Sequence, residues 1–357
     1  MKTYIIFLIT LFIKSFLKVF LIFFSLILIL TIIEQIEFFK DTNVNFYLPA
    51  FLSLLNTPSV IFEILPFIFL ISSQIFFIYL IENNELQILK YSGLNNIKIV
   101  SVIGTLVFFL GIILVVIFYN FSSKLQNYYL EIKNNYSEDN KYLAVITENG
   151  LWIKDEINNK INIINASKID EEFLKDVVIT QFDSNHNFIK TIESEKIDIS
   201  IYNWKLFNPV ISENNTTTKL KKMIIDSNYD LKKINSLFSN LSSLTIFEIF
   251  KLRKNYKSLN YSLTEIDSHL LKLFSYPFYL TIMTVLSAII MFNIGYQKNL
   301  LFNIIFGIFV SVIIYYFNIF FNTLGSAEKI PVFVSILLPL VVLTIINSVF
   351  IIKLNEK

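Results

Sequence analysis

Hydropathy along this chain runs apolar, then water-soluble, then apolar again, and that order leaves few folds open. Three long apolar stretches precede Asn120, a polar block covers residues 121–268, and three more apolar stretches occupy about residues 270–352. A hydrocarbon core about 30 Å thick takes roughly 20 apolar residues in a helix. Most of these stretches are long enough to cross once, and none is long enough to cross twice. The pattern predicts an α-helical membrane protein of six transmembrane helices. One large extramembrane domain is inserted between helices three and four.

Charge agrees with this division. Only 16% of residues are charged, and 54% are hydrophobic. Residues 121–268 hold 19 Lys+Arg and 20 Asp+Glu, about two thirds of all the charge. The expected domains are therefore residues 1–120 (helices one to three), 121–268 (the extramembrane domain) and 269–357 (helices four to six). The helices are expected near 16–36, 60–81, 97–119, 270–294, 300–321 and 331–352. Residues 4–13 have signal-peptide length but no small-residue cleavage site follows them. Lys14 and Lys18 lead straight into the first apolar stretch. That segment is expected to stay, either at the interface or as an extension of helix one.

Lysines in the short flanks and loops set the orientation. Lys2, Lys14, Lys18, Lys90, Lys98, Lys298, Lys353 and Lys357 fall on one side, and Lys40 and Lys329 on the other. The first side is then cytoplasmic, with both termini inside and the 121–268 domain outside.

The outer domain reads mostly as strands. Candidates lie at 143–147, 151–154, 161–164, 177–182, 188–192, 197–202, 204–207 and 217–225, with Glu148-Asn149-Gly150 as a hairpin-type turn. About eight short strands without a long helix suggest an antiparallel sandwich or jelly roll. The pairs Leu151 and Ile153, Ile161 and Ile163, and Val177 and Ile179 are each two apart, so each points to one face. They are the candidate inward residues. Past Leu231 the pattern changes. Phe247, Phe250 and Leu252, with lysines at 251–257, suggest a short amphipathic helix returning to the membrane surface.

Several chemistries find no residues to carry them. There are no cysteines and two histidines far apart, His186 and His269, so neither disulfides nor a metal site is expected. No phosphate-binding glycine loop, nucleophile elbow or zinc-protease motif is present, and no cofactor is expected. A net charge of +2 argues against nucleic acid as a partner. Asp155-Glu156 and Glu171-Glu172 read as solvated turns. Glu63, Glu34 and Glu37 sit near the outer ends of helices two and one, where a charge is less costly than at the bilayer centre. Lys272 and His269, at the start of helix four, are placed to snorkel outward or to meet a lipid phosphate.

The most informative short stretch joins helices two and three at residues 82–93. Asn83 or Asn84 is placed to cap a short helix and Gly93 to end it. Leu86, Leu89 and Lys90 fall on one helical face with Glu85 beside them. That face suits either an interfacial connector or a knob for a cytoplasmic partner.

Residues Asn84-Glu85-Leu86, followed by Gly93, resemble the coupling-helix segment of the LptF/LptG family of lipopolysaccharide-export permeases. Gly150-Leu151-Trp152-Ile153-Lys154-Asp155 resembles a strand opening of the LptG branch. His269-Leu270-Leu271-Lys272-Leu273-Phe274-Ser275-Tyr276-Pro277 resembles the family's lead-in to helix four. The resemblance implies a multi-pass permease of the bacterial inner membrane with a periplasmic β-jellyroll. It implies no catalysis by the chain itself, because ATP hydrolysis belongs to a dimeric LptB-like ATPase. Further implied partners are a paralogous LptF-like permease, LptC-like and LptA-like bridge proteins, and lipopolysaccharide. Glu85, with Leu86, Leu89 and Gly93, would meet the ATPase. Lipid candidates are Lys40, Glu34, Lys272 and the six inward residues. One departure stands out. Family members often carry a basic residue near the outer end of helix one, where this chain has Glu34 and Glu37, with Lys40 slightly later. A different envelope-lipid permease and a membrane-anchored sensor or scaffold remain as alternatives.

Overall fold

The computed structural model describes residues 3–40, 44–134, 136, 151–157, 160–170, 172–185, 187–213, 216–231, 234, 240–258, 262–293 and 300–355. The chain divides into two compact units, Met1–Tyr129 with Thr264–Lys357, and Leu130–Leu263. The expected strand at 143–147, its turn at 148–150, Glu171 and His186 lie outside the described residues.

The first unit is helical. α1 (Thr3–Phe38) is followed by α2 (Tyr47–Glu82), the short α3 (Glu85–Tyr91) and α4 (Asn96–Ile113). A π-helical stretch, Leu114–Tyr119, joins α4 to α5 (Asn120–Asn134). The later helices of this unit are α7 (Thr264–Asn293), α8 (Leu300–Ser326) and α9 (Val332–Asn355). Among the described residues, six helical spans are long and apolar enough to cross a membrane. α1 and α2 have 36 residues each, about 54 Å at 1.5 Å per residue, so both exceed the hydrocarbon core. Residues 4–13 thus lengthen helix one, and Lys14 and Lys18 sit on its exposed side.

α2 and α7 lie at the centre of the bundle. α1, α7 and α8 pack on α2, and α4, α8 and α9 also pack on α7. Pro58 and Pro66 stand inside α2, and Pro277 and Pro339 inside α7 and α9. Hydroxyls and neighbouring helices satisfy backbone groups that a proline frees at membrane depth. Pro277 also sets a contact. A Cβ on Gly111 of α4 would lie 2.8 Å from the Pro277 Cα, so α4 and α7 approach backbone to backbone there.

Among the described residues, the second unit forms one antiparallel sheet, with α6 (Ile246–Ser258) following it. Its strands are β1 (Leu151–Ile157), β2 (Lys160–Asp170), β3 (Phe173–Asp183), β4 (Phe188–Asp198), β5 (Asn203–Phe207), β6 (Val210–Glu213), β7 (Thr216–Lys219) and β8 (Lys222–Asp226). Their order is β1-β2-β3-β4-β5-β8, with β6 also on β4 and β7 on β6. The long strands β2 to β4 form a meander of eleven residues each. The far edge of β4 is shared: β6 pairs with Thr191–Glu193 positions and β5 with Lys196–Asp198 positions. The expected strand at 217–225 is two strands; of the one expected at 197–202, only 197–198 are strand, as the end of β4, and 199–202 link it to β5.

One face of this sheet is buried. Register aligns Ile153, Ile164, Ile179, Ile192 and Ile211 in one row across five strands. Leu151, Ala166, Val177 and Ser194 form the next row. Cross-strand apolar pairs of this kind are the unit of sheet stability. A polar row follows, Asp155, Asn162 and Gln181, all buried.

Candidate functional site

Three places in the fold carry chemistry or an interface. The first is α3. Asn84 starts it in the left-handed region (φ 55°) without a side-chain cap bond. Glu85 in the first turn and Lys90 in the last complement the helix dipole. The far end stops sharply. Gly93 has φ +83°, its N–H donates to the Lys90 carbonyl at 2.9 Å, and the Leu94 N–H donates to the Leu89 carbonyl at 3.1 Å. These are the two bonds of a Schellman stop, which needs a left-handed residue after the cap. Asn95 then opens α4 by accepting from the Lys98 N–H at 3.0 Å.

α3 is also clamped from below. Leu86 and Leu89 are 1% and 7% exposed, and the helix packs on α2. The resemblance points these leucines toward a partner, and the structure turns that face round. Residues three apart share a helical face, but the apolar face here meets the chain's own α2. The outward face holds Ile88 (55% exposed), Tyr91 (88%), Gln87 and Lys90, with Glu85 half-buried at its edge.

The second place lies about 30 Å along α2 from α3. The π-helical turn widens the helix by one residue per turn and re-aims the residues after it. It delivers Tyr119, whose hydroxyl is 2.8 Å from His269 Nε2 of α7. Phe62 of α2 stacks on Tyr276 of α7 with centroids 4.5 Å apart and meets Tyr119 at 5.2 Å. The Tyr276 hydroxyl donates to the Phe62 carbonyl. Beside this aromatic knot, Glu63 of α2 and Lys272 of α7 are within electrostatic reach of each other. Glu34, Glu37 and Lys40 are exposed at the end of α1. Between them, Gln35 is fully buried and donates to the Tyr129 hydroxyl at 3.1 Å.

The third place is the buried face of the sheet. Leu151, Ile153, Val177 and Ile179 all point inward at 1% exposure. Ile161 and Ile163 do not. Ile163 is 36% exposed, while Ile164 and Ala166 on the same strand are 2% and 0% exposed. β2 is therefore one residue out of phase with the sequence expectation. Both alternating sets of β2 contain isoleucine, so alternation alone does not choose between them. Pairing with Leu151 and Ile153 does.

Asp155 closes this face. Its carboxylate accepts from Ser227 Oγ at 2.8 Å, the Asn228 N–H at 3.1 Å and Asn228 Nδ2 at 2.8 Å. The Tyr229 hydroxyl donates to the Lys154 carbonyl at 2.9 Å, and Trp204 Nε1 donates to the Tyr229 carbonyl at 2.7 Å. The segment leaving β8, at one end of the strand order, is thereby tied to β1 at the other, and the sheet is rolled. On the outer side, a hydrogen bond from Ser200 holds the Asp198 carboxyl below its ordinary range, with Lys205 and Lys196 adding to the effect. Among the described residues, no cluster of three or more His, Asp or Glu is placed to hold a metal.

A family model described as "Lipopolysaccharide export system permease LptF/LptG" matches residues 6–353. The chain belongs to this family. No curated protein matches it. An LptF/LptG permease is a multi-pass protein of the inner membrane, and the six spans with one inserted antiparallel β domain fit that placement.

Several residues of this permease fold carry contacts that the sequence reading does not single out. Gln74 is fully buried in α2, and its Nε2 donates to the Asn303 carbonyl of α8 at 2.9 Å. Asn347 of α9 donates to the Ile282 carbonyl of α7 at 3.0 Å. Each is an amide within an apolar run, and that isolation is a readable signal, since a polar group at membrane depth needs a partner. Asp155 gives no such signal. Next to Glu156 in a charged stretch it looks solvated, and only the long-range approach of Ser227 and Asn228 buries it.

Proposed function

We propose that this chain is the non-catalytic transmembrane subunit of an ABC transporter that lifts lipopolysaccharide from the inner membrane, and that it acts in the LptG position. It pairs with a second permease over a dimeric ATPase and hands the lipid to bridge proteins. Residues 121–268 are periplasmic and both termini cytoplasmic, in keeping with the lysine bias of the short loops.

The observation that carries the coupling step is the double fixing of α3. A lever must not yield when pushed. α3 is held by a Schellman stop at Gly93 and by Leu86 and Leu89 on α2, so a push on its outer face moves α2 rather than bending the helix. Ile88 and Tyr91 offer apolar surface to an ATPase groove, and Glu85 offers the charge beside it. α2 lies against α1, α7 and α8, and motion of α2 changes the space those helices enclose. The inward rows around Ile153, Ile164, Val177 and Ile179 are covered in this structure, and opening of the face turns them into an apolar path for acyl chains, each buried methylene contributing about 0.8 kcal/mol. Lys272, with Lys40, is the candidate cation for a lipid phosphate.

The test is purification of the full chain from native membranes with photo-crosslinking residues at Ile88 and at Ile164. The reading expects an ATPase crosslinked at position 88 and ATP-dependent lipopolysaccharide crosslinks at position 164. Transport-active preparations that crosslink neither would overturn it. A protease-accessible tag at Lys357 from the periplasmic side would overturn the orientation.

A further inference from the structure

α6 has two unlike faces. Ile249 and Leu252 are buried at 0% and 3% exposure. Its start is locked by a reciprocal capping box. The Thr245 N–H and hydroxyl both donate to Glu248 Oε2, at 2.8 and 2.7 Å, and the Glu248 N–H points back to Thr245 Oγ1 at 3.4 Å. The helix is thus a defined element with a fixed outer side. That side holds Phe247 (83% exposed) and Phe250 (46%). Lys251, Lys254 and Lys257 are exposed beside them. At 3.6 residues per turn these five positions form one stripe. The helix's sole carboxylate, Glu248, is engaged at the cap and leaves the stripe cationic.

Two exposed phenylalanines on a water-facing unit call for a cover. Lysine is depleted at protein–protein interfaces, whereas phenylalanine ringed by lysine suits a lipid surface, where the rings enter and the ammonium groups snorkel to phosphates. Connectivity points the same way. Five residues separate Ser258 from Thr264, where the membrane-spanning α7 begins, a reach of at most about 20 Å. Tethering at that length raises the effective concentration of the membrane surface around a helix too short to bind it alone.

We propose that α6 is a membrane-surface foot. Phe247 and Phe250 enter the interfacial layer of the leaflet on the β-domain side, and Lys251, Lys254 and Lys257 pair with phosphates of anionic phospholipids. The proposal rests on α7 crossing the membrane and not on the cargo, so its failure leaves the export reading standing.

The chain has no cysteine, so single spin labels are clean. Full-length protein carrying Phe247→Cys, Phe250→Cys or, as a solvated control on β7, Thr217→Cys is placed in nanodiscs with and without phosphatidylglycerol. Labels at 247 and 250 are expected to collide more with oxygen than with a water-soluble nickel chelate, and the label at 217 the reverse. Lys251→Gln, Lys254→Gln and Lys257→Gln together should shift position 247 toward nickel in the anionic discs, weakening insertion by about fivefold per lysine. Nickel-dominated collisions at both 247 and 250 would show a solvated face and overturn the proposal. Shielding from both reagents would show a protein cover and overturn it equally. An unchanged profile in the triple variant would overturn the assignment to anionic lipid.

Discussion

Replacing Asp155 by alanine tests whether the rolled sheet is closed by one carboxylate. Asp155 is 1% exposed and accepts three hydrogen bonds from Ser227 and Asn228. A hydrogen bond to a charged group contributes about 1.5–3 kcal/mol net. The three share one acceptor group and act together, so they do not add. The Asn228 side chain is exposed and water replaces its share. Ser227 is buried, and it keeps one bond as acceptor from the Tyr229 N–H at 3.1 Å. The expected loss is about 2–4 kcal/mol, mostly from the buried hydroxyl left without its acceptor. Asp155→Asn keeps one acceptor oxygen and turns an amide donor toward other donors, so it should lose roughly half as much. Hydrogen exchange of the full-length protein reads this directly. At about 1.4 kcal/mol per decade, amides of β1 and of Ser227–Tyr229 positions should exchange about 30- to 700-fold faster in Asp155→Ala. The amides of α2 and α7 should not change. Exchange at β1 and residues 227–229 within about threefold of the parent would refute the closure argument.

Three further outcomes are expected from the geometry. Leu86→Ala should loosen α3 from α2 by about 2–4 kcal/mol, read as faster exchange at residues 85–91, whereas Ile88→Asp should leave that exchange alone and reduce ATPase capture. Glu85→Lys should leave the chain folded in the membrane but weaken its hold on the ATPase, since breaking a desolvated charged contact costs about 2–5 kcal/mol; wild-type pull-down with normal transport would count against it. Gly111→Leu should force α4 off the Pro277 backbone, with overpacking of about 1–3 kcal/mol, and lower the thermal stability of the purified protein, while Gly104→Ala, whose Cβ finds ordinary contacts at 3.6 Å and beyond, should not.

The membrane half of this protein was legible because lipid leaves the chain so little choice. An apolar run of about 20 residues in a bilayer must be helical to satisfy its own backbone, so six spans and the inserted domain came from hydropathy alone. The ends were less legible. Thr3 and Tyr47 begin their helices well before the expected starts, because the added turns pack against the rest of the fold, with Leu8, Phe12 and Leu52 fully buried. The stop at Gly93 was legible too, since only a residue tolerant of positive φ fits there. What α3 does with its apolar face was not. Periodicity shows that Leu86 and Leu89 share a side, and only the position of α2 decides that the side is already covered. The same holds in the sheet. Alternation tells which residues of a strand travel together, but β2 carries isoleucine in both sets, and its pairing with β1 and β3 alone selects Ile164 over Ile163. The contacts between Asp155 and Asn228, Tyr119 and His269, and Gln74 and Asn303 join residues 73, 150 and 229 positions apart. No local pattern encodes such pairs. They exist because tertiary packing removes water from polar groups and leaves each one to find its partner in the protein.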